Sequence, residues 1–126
     1  MSGVARKCGP AAKMDIEFTR WGRPEAKNAQ YVLKPYNISG NIERFTVPAG
    51  TLTQSMDWQP GRATFRTVRG SLANVGRGTV GEHVFTTGVA TPGPEGISLN
   101  FYVFGNLRYR LQHEAEVVIE KFEFFP

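Results

Sequence analysis

The sequence predicts an all-β domain, an antiparallel sandwich or barrel, and three observations carry that expectation. Short stretches alternate apolar and polar side chains, the period-two pattern of half-buried strands. Turn-forming segments separate them, drawn from 14 Gly and 8 Pro among 126 residues. No segment of useful length repeats its apolar residues at helical spacing. About eight short strands spaced in this way describe a sandwich or barrel. The length suits one hydrophobic core, so residues 13–126 are expected to form a single domain. Residues 1–12 are small, basic and interrupted by Gly9-Pro10, and are expected to be a flexible lead-in.

Taken in order, Met14 to Phe18 is the first strand. Met14, Ile16 and Phe18 face one way, toward a core, and Lys13, Asp15 and Glu17 face the other as a row of charges. Such a row is either the solvated face of a half-buried strand or a functional surface. Thr19 to Pro24 is a loop whose Trp21 either covers the core edge or offers a flat face to a sugar ring. Asn28 to Leu33 forms a second strand, stopped by Pro35. Asn41 to Val47 alternates again, with Phe45 and Val47 opposite Ile42 and Arg44, and Pro48-Ala49-Gly50 turns the chain. Thr51 to Trp58 and Arg62 to Val68 read as a hairpin around Gln59-Pro60-Gly61.

Gly70, Gly76, Gly78 and Gly81 precede no Lys-Ser or Lys-Thr, which excludes a phosphate-binding loop and leaves a flexible connection. Val80 to Thr87 is the next strand, followed by turn-rich Val89 to Gly96. Ile97 to Phe104 is the most apolar strand, with Ile97, Leu99, Phe101 and Val103 on one face and Asn100 on the other. Gly105 to His113 reads as a loop exposing Tyr109. Ala115 to Phe125 is a closing strand with Val118, Phe122 and Phe124 on its core face and Glu120 as an exception among them.

Composition removes several classes of function. The formal charge of +4 is modest, and Arg and Lys are scattered among acids rather than gathered along one element. That argues against a nucleic-acid surface. Cys8 is the only cysteine, so no intrachain disulfide forms, and His83 and His113 each lack a second ligand at metal-like spacing. No metal and no cofactor is expected. Met1 to Lys13 lacks a signal-peptide core, and no apolar run reaches bilayer length. The expectation is a soluble, cytoplasmic protein with no membrane role, extracellular if a leader precedes this sequence.

Four segments resemble one family in the right order. Met14-Asp15-Ile16-Glu17-Phe18 is similar to the latter part of the Glu-x-Asp-x-Glu active-site strand of family-16 glycoside hydrolases, the laminarinase, lichenase and xyloglucanase group. Ser55-Met56-Asp57-Trp58-Gln59-Pro60, with Arg62 and Phe65, resembles that family's Glu-Trp hairpin. Ile97-Ser98-Leu99-Asn100-Phe101 resembles its Leu-Asn-Leu-Trp strand, and Val117 to Phe122 its closing strand. The resemblance implies a concanavalin-like jelly roll, shortened at its N-terminus, with a sugar cleft on its concave face.

By the same resemblance, Glu17 is the general acid/base, Asp15 the helper carboxylate, and Lys13 stands where the nucleophile belongs. An ammonium carries no lone pair and cannot attack the anomeric carbon. It also favours the ionised forms of its carboxylate neighbours, whereas an acid catalyst must begin protonated. Retaining hydrolysis needs two carboxyl groups about 5–5.5 Å apart and is expected to be lost. The first expectation is therefore a degenerate hydrolase that binds a β-glucan-like carbohydrate in a shallow groove lined by Asp15, Glu17, Trp21, Tyr31 and Asn100. Two alternatives remain open, a protein-interaction module keeping only the scaffold and a hydrolase with residual activity through Glu17. Only twelve residues precede Lys13, where the family carries about half of its sandwich. An open sheet edge and an uncovered face predict a homodimer.

Overall fold

A computed structural model describes residues 13–70, 78–94, 96–101 and 116–125. Six strands follow one another: β1 (Met14–Phe18), β2 (Ala29–Leu33), β3 (Ile42–Phe45), β4 (Leu52–Gln59), β5 (Arg62–Arg69) and β6 (Thr79–Phe85). They form two antiparallel three-stranded sheets, ordered β1-β2-β3 and β4-β5-β6, and the described residues contain no helix. The all-β class and the six strand positions agree with the alternation and the turns. The Pro60-Gly61 turn joins β4 to β5, with Gly61 at a φ of 75° that an L side chain adopts only with strain.

The two sheets meet through a compact aromatic core. Ala29, Tyr31, Leu33 and Phe45 from the first sheet are buried against Ala63, Phe65 and Phe85 from the second. Met14, Ile16, Val47 and Val89 flank this cluster. The Tyr31 ring lies 5.0 Å from Phe65 and 4.5 Å from Phe45. Phe85 meets Phe65 edge-on at 5.5 Å, the arrangement that aromatic quadrupoles favour. Gly81 lets the sheets approach at this point, because a Cβ there would stand 2.6 Å from two Phe45 ring carbons. This face-to-face arrangement is that of a β-sandwich.

The structure corrects four expectations. Phe18 is 50% exposed, because the core side of the sheet ends at Ile16 along β1. Asp15 is buried, so the face carrying Lys13, Asp15 and Glu17 is covered at its centre rather than open throughout. Residues 97–101 lie outside any strand, with Ile97, Leu99 and Phe101 exposed. Residues 116–125 behave in the same way: Val118, Phe122 and Phe124 are exposed rather than packed. Both segments have strand-like alternation but no ladder partner among the described residues, and a strand requires one. Cys8, Val103, Tyr109 and His113 lie outside the described residues, as do most of the glycine-rich connection and the lead-in.

Candidate functional site

The chemistry-bearing residues gather on the face of the first sheet opposite the aromatic core. Register decides this. Asp15 pairs with Val32 and Val32 with Ile42, while Glu17 pairs with Gln30 and Gln30 with Arg44. Residues directly opposite in a ladder share a face, so Glu17, Gln30 and Arg44 form one row across three strands. Gln30 Nε2 donates to Glu17 Oε1 at 2.6 Å, and Arg44 Nη1 donates to Gln30 Oε1. Arg44 Nη2 donates in turn to the backbone carbonyls of Thr19 and Lys27. The row therefore ties a carboxylate on β1 to the loop that carries Trp21.

That loop is braced at several points. Arg20 Nε donates to the Ala26 carbonyl at 3.1 Å, and the Trp21 N–H donates to Thr19 Oγ1 at 2.9 Å. Asn28 exchanges two hydrogen bonds with the Val47 backbone. Trp21 itself adopts a φ of 53°, a left-handed conformation that is strained for a bulky side chain. It is half-buried.

Asp15 and Glu17 are neighbours on this face but differ in environment. Asp15 is buried, and neither of its oxygens receives a hydrogen bond. Glu17 lies close enough for the two carboxyls to hydrogen-bond once one of them is protonated. Burial pushes the Glu17 carboxyl above its ordinary range, and the charge and hydrogen bond of Asp15 add to that effect. The Gln30 hydrogen bond and the Lys34 ammonium oppose it and lose. The direction is opposite to the one expected from Lys13, which forms no ion pair with either carboxyl. The ammonium whose field reaches Glu17 is that of Lys34, which stands across from Lys13 on β2's extension.

At the Lys13 end of the same face the surface opens. The Lys34 N–H donates to the Lys13 carbonyl at 3.0 Å, which sets the two lysines directly opposite one another. With Pro35, Tyr36 and Asn37 they line an open pocket of about 500 Å³. The Lys34 ammonium lies 4.0 Å from the centroid of the Tyr36 ring, which is 59% exposed. Asn41 braces the turn behind the pocket, its Nδ2 donating to the Pro35 carbonyl at 2.9 Å and its N–H to the Ile38 carbonyl. The Lys34–Pro35 peptide bond is cis.

Of the sequence-predicted residues, Glu17 and Trp21 are partly accessible and linked through the Gln30–Arg44 row. Asp15 is on the expected face but enclosed. Tyr31 is fully buried in the core, its hydroxyl 2.6 Å from Thr67 Oγ1, and lines no groove. Asn100 is exposed in a segment outside both sheets rather than on a strand. Gln30, Arg44, Lys34, Tyr36 and Asn37 were not singled out by sequence; register places Gln30 and Arg44 on this face, the backbone bond to Lys13 places Lys34, and Tyr36 and Asn37 follow in the turn that lines the pocket. His83 packs its ring edge on Phe85 at 4.5 Å and lies 3.6 Å from Glu43. Among the described residues no group of three or more His, Cys, Asp or Glu side chains could hold a metal ion. No helix among them is long and apolar enough to cross a membrane. Comparisons with protein-family models, curated proteins and solved structures find no match for this chain.

Proposed function

We propose that this chain is a non-catalytic carbohydrate-binding domain whose ligand contacts the open Lys13–Tyr36 end of the charged face. The observation that carries the reading is the pocket itself: Tyr36, with its exposed ring, Asn37 and two lysines line one opening. An aromatic face accepts the C–H face of a pyranose, and an amide serves as both donor and acceptor to hydroxyls. The resemblance to family-16 glycoside hydrolases supplies the class of ligand. Burial of Asp15 favours binding over hydrolysis, since a glycosidase needs two carboxyl groups that both reach the sugar. Glu17 has the raised affinity for a proton that suits a general acid, but the carboxylate beside it, Asp15, is buried.

Calorimetric titration with an oligosaccharide panel that includes laminari- and mixed-linkage β-glucans tests the reading. Saturable heat that Tyr36→Ala removes is the expected result. A panel without saturable heat overturns it.

A second reading, a self-associating interaction module, is favoured by a separate observation. Ile97, Leu99, Phe101, Val117, Val118, Ile119, Phe122, Phe124 and Phe125 are each at least 58% exposed in two segments outside the sheets. Exposed apolar residues in such density mark association surfaces, and extended chain seeks a sheet edge. A second copy of this chain is the partner this reading names, since among the described residues the outer strands β1, β3, β4 and β6 each pair on one side only. Sedimentation at tens of micromolar tests it: a dimer is expected, and a monomer sinks it.

A further inference from the structure

We infer that the pocket beside Lys13 and Lys34 recognises an acidic sugar, a uronic acid whose carboxylate sits between the two ammonium groups. The inference rests on the carbohydrate-binding reading and narrows it. Three observations lead to it. Lys13 and Lys34 stand directly opposite each other across adjacent strands, an arrangement that places two like charges side by side. Among the described residues no carboxylate lies within ion-pair distance of either ammonium, although other charges there do pair, as in Arg66–Glu82 at 2.7 Å. Both residues line one opening, together with Pro35, Tyr36 and Asn37.

Two cations beside one pocket, neither ion-paired among the described residues, repel each other, and an anion placed between them relieves that repulsion. A carboxylate has two oxygens and can accept from both ammonium groups at once, in hydrogen bonds stronger than neutral ones. The remaining walls specify what carries the carboxylate. The ammonium of Lys34 occupies one face of the Tyr36 ring, and the ring's exposure leaves surface for the apolar side of a pyranose. Asn37 supplies an amide for ring hydroxyls. A volume of about 500 Å³ falls within the ordinary range for small-ligand sites, roughly 300–1,000 Å³. A neutral glucan would use the ring and the amide but leave both charges unpaired.

The test is calorimetric titration of the full chain with a uronate oligosaccharide and a neutral β-glucan oligosaccharide of equal length. Three variants accompany it: Lys34→Gln, Tyr36→Ala and Lys27→Gln. Lys27 is exposed and outside the pocket, so its substitution changes net charge equally without touching the site. The uronate should bind more tightly than the neutral sugar, and Lys34→Gln should weaken it about tenfold, in line with loss of one charge-assisted contact. Raising salt should weaken it as well. Lys27→Gln should leave it unchanged.

Equal binding of the two sugars overturns the inference and leaves carbohydrate binding standing. Equal loss in Lys34→Gln and Lys27→Gln also overturns it, because net charge and not the pocket is then responsible. Absence of saturable heat with both sugars overturns the inference and the carbohydrate reading together.

Discussion

Gly81→Ala is the substitution that tests the packing of the two sheets most directly. The added Cβ would meet Phe45 Cδ2 and Cε2 at 2.6 Å and the Tyr31 hydroxyl at 3.1 Å. That is about 0.8 Å short of ordinary contact, so the ring must retreat. Phe45 has little room to do so. Its ring packs 4.5 Å from Tyr31, and Tyr31 is fixed by Phe65 at 5.0 Å and by Thr67 through its hydroxyl.

Overpacking of this kind costs about 1–3 kcal/mol, against about 0.4–1 kcal/mol gained from a less flexible unfolded chain. The net loss should be roughly 1–2 kcal/mol. With a urea dependence of about 1–3 kcal/mol per molar, the unfolding midpoint should fall by roughly 0.5–1 M. Placing the same substitution in a Phe45→Leu background completes a double-mutant cycle, and the loss there should be smaller by at least about 0.5 kcal/mol. An unchanged midpoint for Gly81→Ala, or an equal loss in both backgrounds, would mean that Phe45 and Gly81 do not face each other across the sandwich.

Four further substitutions probe the charged face and the core. Burial raises the Glu17 pKa above its unfolded value, so the fold binds that proton more tightly. The resulting stability is fully present below about pH 4.3 and is lost as pH rises through the folded value. Urea midpoints at about pH 4 and pH 7 should therefore fall more in the native chain than in Glu17→Gln; parallel profiles would disprove the assignment. Asp15→Asn should stabilise the protein at neutral pH by about 1–3 kcal/mol, because the amide can donate to Glu17 where two unsatisfied oxygens stood. Destabilisation on thermal melting would show that the carboxylate is satisfied. Tyr31→Phe should cost about 1 kcal/mol and Thr67→Val more, since the valine leaves the buried tyrosine hydroxyl with no partner. The reverse order in denaturant titrations would contradict the hydrogen bond.

Most of the six strands were legible because alternation is followed by a turn that stops it, while β2, buried on both faces, was legible as an apolar stretch stopped by Pro35. Thr51 to Gln59 and Arg62 to Arg69 show this best: Pro60-Gly61 gives the turn, and Ala63, Phe65 and Thr67 give the buried face. The same pattern over 97–101 and 117–125 misled, since alternation describes a side-chain period and says nothing of a ladder partner. Glu17 and Trp21 were legible as candidates from residue type. Their connection was not, because it runs through Gln30 and Arg44, which sequence separates from Glu17 by 13 and 27 positions.

Strand parity alone determined that Lys13, Asp15 and Glu17 share a face. It did not determine that the face is closed over Asp15, half-open at Glu17 and open beside Lys13, because burial depends on what packs above a residue. Tyr31 makes the same point from the other face. Its amphipathic side chain suits a sugar platform or a core equally well, and the choice fell to Thr67, a partner 36 residues away in the opposite sheet. The sequence by itself determined the all-β class and the positions of β1 to β6 with their turns, since those follow from local pattern and from Gly and Pro. Only the tertiary structure decided which charges stand together, because the pairing of Lys13 with Lys34 and of Glu17 with Gln30 is a matter of register. Register is fixed by the burial of Tyr31, Leu33 and Phe45 against the second sheet, a contact that no local pattern contains.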